Sequence, residues 1–205
     1  MRIIKFGGFG YASNSYLVTD DSREQAIVID PSMPLDWVAE QYHDEPKISA
    51  VLLTHGHFDH ILELQSYVDA GIPVSIGEQD EPLLTDGYKN ASRVFFGEDT
   101  VVSVGGVRTL RDGDAVKIGA EEISVIHTPG HTAGSVCYVG KDAVFSGDTL
   151  FAHGGYGRYD LYSGDFEQLK RSIRRLLSLC LEQRICPGHG CDSDISTEKK
   201  YYRDI

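Results

Sequence analysis

The first half of the chain reads as short apolar runs separated by turn signals. RIIKF (2–6), SYLVT (15–19) and AIVID (26–30) carry the β-branched and aromatic residues that favour strands. An amphipathic stretch over Leu35 to Gln41 predicts a helix, and SAVLLT (49–54) predicts a buried strand. In ILELQSYVDA the apolar residues Ile61, Leu62, Leu64, Val68 and Ala70 recur at roughly helical spacing, with Gly71 as a C-terminal stop. The second half repeats the plan. AVKIG, EISVIHT, GSVCYVG and AVFSGD predict strands, followed by a helix from about Asp165 to Cys180. Two β-rich halves with helices predict two packed sheets with helices outside them, in one domain over residues 1–205.

The chain has 205 residues, of which 41% are hydrophobic, enough to bury a substantial core. Its net charge of -12 argues against a nucleic-acid backbone or an anionic membrane as the main partner. The basic run KRSIRR, Lys170 to Arg175, reads as a solvated helix face. With no run of eighteen apolar residues and no small-residue cleavage site near the N-terminus, a soluble cytoplasmic protein is expected. Four cysteines, Cys137, Cys180, Cys186 and Cys191, suit a reducing compartment better than a disulfide framework. In CPGHGC, Cys186 and Cys191 flank His189, a possible small zinc site, but the spacing is not a standard one and His189 has a stronger claim elsewhere.

That claim begins at Thr54 to His60, THGHFDH, three histidines and an aspartate directly after a predicted buried strand. In extended backbone, residues two apart point the same way, so His55 and His57 can reach one metal ion. Asp59 and His60 then aim at a neighbouring point, where a helix is expected to begin. Three more candidates lie where a predicted strand gives way to a loop: His131 in TPGHTAGS, Asp148 in FSGDTLF and His189 in CPGHG. A pair of ions ~3.5–4 Å apart can share a hydroxide whose parent water has a pKa lowered toward about 7. Nitrogen and oxygen ligands without thiolates fit zinc, manganese or iron.

The order H-x-H-x-D-H, then His, Asp and His resembles the metallo-β-lactamase superfamily over nearly the whole chain. The resemblance implies an α/β, four-layer αββα sandwich with a binuclear site at one edge. It assigns His55, His57 and His131 to one divalent ion, and Asp59, His60 and His189 to the other. Asp148 bridges them, Asp59 and Asp148 take part in catalysis, and zinc is the first choice of metal. Class B β-lactamases commonly have a cysteine where this chain has Asp148, and flavodiiron proteins an acid in place of the second histidine; neither change occurs here. The run SGDTLFAHGGYGRYDL instead resembles glyoxalase II, whose G-x-G-R-x-D-like segment is matched by Gly155, Gly157, Arg158 and Asp160, with Tyr159 at a position that is usually small. Full-length glyoxalase II adds a helical region that supplies much of its glutathione site. Here sixteen residues follow His189, so the resemblance is to the short, glyoxalase II-like branch.

The expected activity is hydrolysis of a small-molecule thioester. The alternatives are a lactone hydrolase, a persulfide dioxygenase using one iron on the equivalents of His55, His57 and His131 or Asp148, and a non-catalytic binding protein on the same fold. Arg158 is expected to place an anionic substrate group, or else to pair with Asp160. His153, Tyr156 and Tyr159 are candidates for the pocket wall, set against a solvent-exposed loop for His153 and ordinary aromatic packing for the tyrosines. His127 reads as a hydrogen-bonded structural residue and His43 as a surface one.

Overall fold

The computed structural model describes residues 1–179 and 182–202. Six strands form a first sheet in chain order: β1 (Arg2–Gly7), β2 (Asn14–Thr19), β3 (Ala26–Ile29), β4 (Ile48–Leu53), β5 (Val74–Gly77) and β6 (Arg108–Leu110). Six more form the second: β7 (Ala115–Ile118), β8 (Glu121–His127), β9 (Val136–Val139), β10 (Ala143–Gly147), β11 (Arg184–Pro187) and β12 (Ser193–Asp194). In the first sheet pairing is antiparallel from β1 through β3 and parallel from β3 through β6; in the second it is antiparallel except between β10 and β11. Functional loops therefore emerge from the C-terminal ends of β4 and of the neighbouring β10 and β11.

Side-chain alternation sorts the strands into three apolar layers. Leu17, Val28, Val51 and Leu53 face α1 (Leu35–Gln41) and α2 (Leu64–Asp69), represented by Val38, Leu64 and Tyr67. Their neighbours Tyr16, Val18, Ile27, Ile29 and Leu52 face the second sheet, meeting Val125, Tyr138 and Phe145. On the far side, Cys137, Val144 and Ile185 meet Leu169, Ile173, Leu176 and Leu177. These last four lie on α4 (Phe166–Leu179) at helical spacing. Both faces of each sheet are covered, giving the expected αββα order and explaining why the strands read as continuous apolar runs. The KRSIRR run exposes Arg171, Arg174 and Arg175 on the outer face of α4, as its composition predicts. Cys180, the predicted end of this helix, lies outside the described residues.

One expected helix is interrupted. The residues after His57 form a 3-10 turn, Phe58–His60, and α2 begins only at Leu64. Phe58 N–H donates to Asn90 O at 3.0 Å, and Ile61 adopts φ -120°, so the turn holds Asp59 and His60 in directions a continuous helix would not give them. Among the described helices, none is long and apolar enough to cross a membrane.

Candidate metal centre

The predicted residues converge at one end of the sandwich. His55 and His57 follow β4, His131 lies in the loop after β8, Asp148 follows β10 and His189 follows β11. His131 Nε2 sits 2.8 Å from His57 Nδ1 and 3.0 Å from His55 Nε2. His189 Nε2 is 3.0 Å from Asp59 Oδ2, and His60 Nε2 is 3.8 Å from that oxygen. Asp148 reaches both groups, with Oδ1 3.3 Å from His60 Nε2 and Oδ2 3.5 Å from His131 Nε2 and 3.7 Å from His189 Nε2. Ligand atoms of His55, His57 and His131, of His55, His60 and Asp148, and of Asp59, His60 and His189 lie close enough in each group to hold an ion.

The chemistry of the set fits metal ions better than protein hydrogen bonds. His60 Nε2 and Asp148 Oδ1 are buried without a hydrogen-bond partner, an arrangement that costs stability unless another group meets them. Burial first, then the neighbouring imidazoles, lowers the pKa of His55 well below its ordinary value; burial and His131 lower that of His57 to about 3. Both are thus held as the free base that ligates metal. Burial would depress His60 too, but Asp30, Asp59 and Asp148 outweigh it and raise its pKa. Asp148 is held well below the usual carboxylate range despite burial, by His131 and His60.

Two aspartates that the sequence reading did not single out orient these ligands. Asp30, buried at the end of β3, accepts from Thr54 N–H at 2.8 Å and Thr54 Oγ1 at 2.7 Å, and its Oδ2 lies 2.9 Å from His60 Nδ1. That contact turns Nε2 of His60 toward the centre. Asp80, fully buried, accepts from Gly56 N–H at 2.9 Å, Gly134 N–H at 2.8 Å and Thr132 Oγ1 at 2.7 Å. One carboxylate therefore ties the His55–His57 loop to the His131 loop. His131 Nδ1–H donates to Arg158 O at 2.6 Å, which leaves Nε2 as the ligand atom. Across the sheets, Asn14 Nδ2 and Tyr16 Oη donate to Pro187 O at 2.9 and 2.7 Å and hold the His189 loop. Gly188 permits a close approach to the centre: a Cβ there would lie 2.2 Å from Asp148 Oδ1.

A cavity of about 270 Å³ opens over the centre. His57, Asp59, His131, Asp148 and His189 reach it, together with Tyr11, Phe58, Phe95, Phe151 and Arg158. Arg158 is paired with Asp160 through two bonds of 2.7 and 2.8 Å, the alternative its sequence context offered. Three expected wall residues are not in the lining. His153 is exposed, with φ +60° at a tight turn held by Glu198, and its ring faces Cys191 Sγ at 3.8 Å. Tyr159 stacks on Phe166 at 4.5 Å, and Tyr156 packs beside the same ring, because α4 offers them an apolar surface. The zinc site considered around Cys186 does not form: Cys186 is buried between the sheets, and the groups that could hold an ion among the described residues contain no cysteine. His127 is hydrogen-bonded, with Nε2 2.8 Å from Ala133 O, and His43 is exposed.

A family model of the metallo-beta-lactamase superfamily matches residues 8–189. The chain belongs to this superfamily. It is 36% identical to "Probable metallo-hydrolase YqgX" of Bacillus subtilis (strain 168), over 92% of this chain and 89% of that protein. Among solved structures it is similar to BLEG-1, a B3 metallo-beta-lactamase, with TM-score 0.90 and 29% identity over 98% of each chain. A second, TTHA1623 in a di-iron-bound form, gives TM-score 0.82 and 33% identity over 100% of each chain. Superfamily members are metal-dependent hydrolases, and both a β-lactamase and a di-iron protein stand among the neighbours.

Proposed function

We propose that the protein is a binuclear metal-dependent hydrolase that cleaves small-molecule thioesters to a carboxylic acid and a thiol. The observation that carries this reading is Asp148, whose two oxygens face the two ligand groups within one open cavity. His55, His57 and His131 would hold one ion, Asp59, His60 and His189 the other, with Asp148 between them. When bound, zinc or iron ions there supply Lewis-acid polarisation of the substrate carbonyl and water ionised near neutral pH.

The remaining work falls to the protein. His131 and His60 are fixed by Arg158 O and Asp30, so the ligand atoms keep their directions as the carbonyl is attacked. Asp59 lines the cavity and is held as carboxylate by His60 and His189 in spite of its burial. It is placed to accept the proton that the attacking water loses. The carbon–sulfur bond then breaks with its electron pair on sulfur. A thiol of pKa near 8.5 leaves as thiolate without a general acid, which favours a thioester over an amide-like bond at a site whose cavity carboxylates are held ionised.

Hydrolysis of S-lactoylglutathione and smaller thioesters should proceed without oxygen and collapse in His189→Ala. The same panel carries a penicillin and a cephalosporin, because of the likeness to BLEG-1. Faster β-lactam turnover would replace the thioester reading. Oxygen uptake with glutathione persulfide, retained in His189→Ala, would replace it with a mononuclear iron dioxygenase.

A further inference from the structure

The cavity has two chemically different walls. One carries the ligand atoms. The other is aromatic and begins with Phe58, the buried residue between His57 and Asp59. Phe95 and Phe96, on α3 (Ser92–Phe96), lie 5.6 and 5.1 Å from the Phe58 ring, and Tyr11 meets Phe96 edge-on at 5.3 Å. These three outer rings remain open to solvent: Tyr11 is 66% exposed, Phe95 44% and Phe96 47%. Rings displayed together beside a reaction centre are costly to leave in water and mark a place where an apolar group binds.

The wall is built in advance. Left-handed residues at Ala91 and Gly97 bound α3, and Arg93 pairs with Asp99 through bonds of 2.8 and 2.5 Å. Asn90 Nδ2 donates to Leu83 O at 3.1 Å and to Thr100 O at 2.5 Å, while its backbone carbonyl accepts from Phe58 N–H. Helix and ligand loop are thereby joined. Charge points the same way. Arg158, the cationic side chain lining the cavity, is neutralised by Asp160, and its guanidinium lies 5.4 Å from the centre of the Phe95 ring. An acidic substrate tail would meet a guanidinium whose charge Asp160 already offsets, on a chain whose net charge is -12.

We infer that the substrate carries an uncharged apolar group close to its reacting carbonyl, seated against Tyr11, Phe58 and Phe95, with Phe96 backing the wall. This rests on the hydrolase reading for the word substrate only, since binding can be read without turnover. The group sits on either the acyl or the thiol side of the scissile bond, and the two hydrolysis products distinguish these sources.

Calorimetric titration of the metal-loaded protein would use n-alkanoates from butanoate to decanoate in one arm and the matching alkanethiols in the other, with succinate as the acidic control. Affinity is expected to rise about two- to fourfold per methylene in at least one arm. Succinate should bind no better than butanoate. Phe95→Ala and, separately, Tyr11→Ala should flatten the length dependence, and Phe95→Leu should restore part of the slope. A slope confined to one arm assigns the side of the bond. Affinity independent of length in both arms, or slopes unchanged in both alanine variants, overturns the inference. If thioesters are not cleaved but the slope is present and lost in the variants, the binding site stands and the proposed reaction falls.

Discussion

At the scale of single residues, the centre depends on carboxylates whose partners lie far away in sequence. Asp80 accepts from three buried donors, so Asp80→Ala should leave all three unsatisfied and cost about 3 kcal/mol or more in denaturant unfolding. Thr132→Val removes one donor instead and should cost about 1 kcal/mol. The same two variants separate stability from ligand placement: Asp80→Ala should lower ion stoichiometry measured by elemental analysis, and Thr132→Val should not. Asp148→Asn is expected to reduce the occupancy of both ions, whereas Asp59→Ala should reduce only one. Full stoichiometry and turnover in Asp148→Asn would refute a bridging role. The H-x-H-x-D-H run is legible because four ligand positions fall within six residues. Asp30 and Asp80 are not, since each bonds backbone or side-chain groups 24 or more positions away, and an aspartate after an apolar run reads as a turn.

Elements were legible where one face is apolar. The α4 pattern, with Leu169, Ile173, Leu176 and Leu177 inward, gave its start within one residue. β5, β6 and α3 were not foreseen. β5 is four residues long and β6 three, too short to show alternation, and α3 is a single turn set by its caps and the aromatic stack on Phe58. The 3-10 turn at Phe58–His60 escaped because its geometry follows from the Asn90 contact, which no local pattern encodes. Asp165 shows how an outer helix is tied to the centre. Its Oδ1 accepts from Gln168 N–H at 2.9 Å as a helix cap, and its own N–H donates to Gly130 O, next to His131, at 2.8 Å. Asp165→Ala should therefore cost about 1 kcal/mol of stability through the lost cap. The backbone bond to Gly130 remains in that variant, so ion content should be unchanged.

For the whole molecule, the layered order was legible from burial on both faces of the strands, while the pairing order was not, because parallel and antiparallel neighbours demand the same apolar runs. Ions bound only by the folded chain stabilise it by about 2.7 kcal/mol each at a free concentration a hundredfold above Kd. Chelation should thus lower the Tm by about 10–20 °C for a chain of this size, read by differential scanning calorimetry. An unchanged Tm would mean that the ligand groups hold no ion under those conditions. The described strands change sheets once, in the turn between Leu110 and Ala115, yet each of the three ligand groups draws side chains from both halves. A protease cut confined to that turn would sever the sole peptide link between the sheets and leave the coordination set intact. The two pieces would stay together through the apolar layer between the sheets, with the ions as a second clasp that a chelator removes.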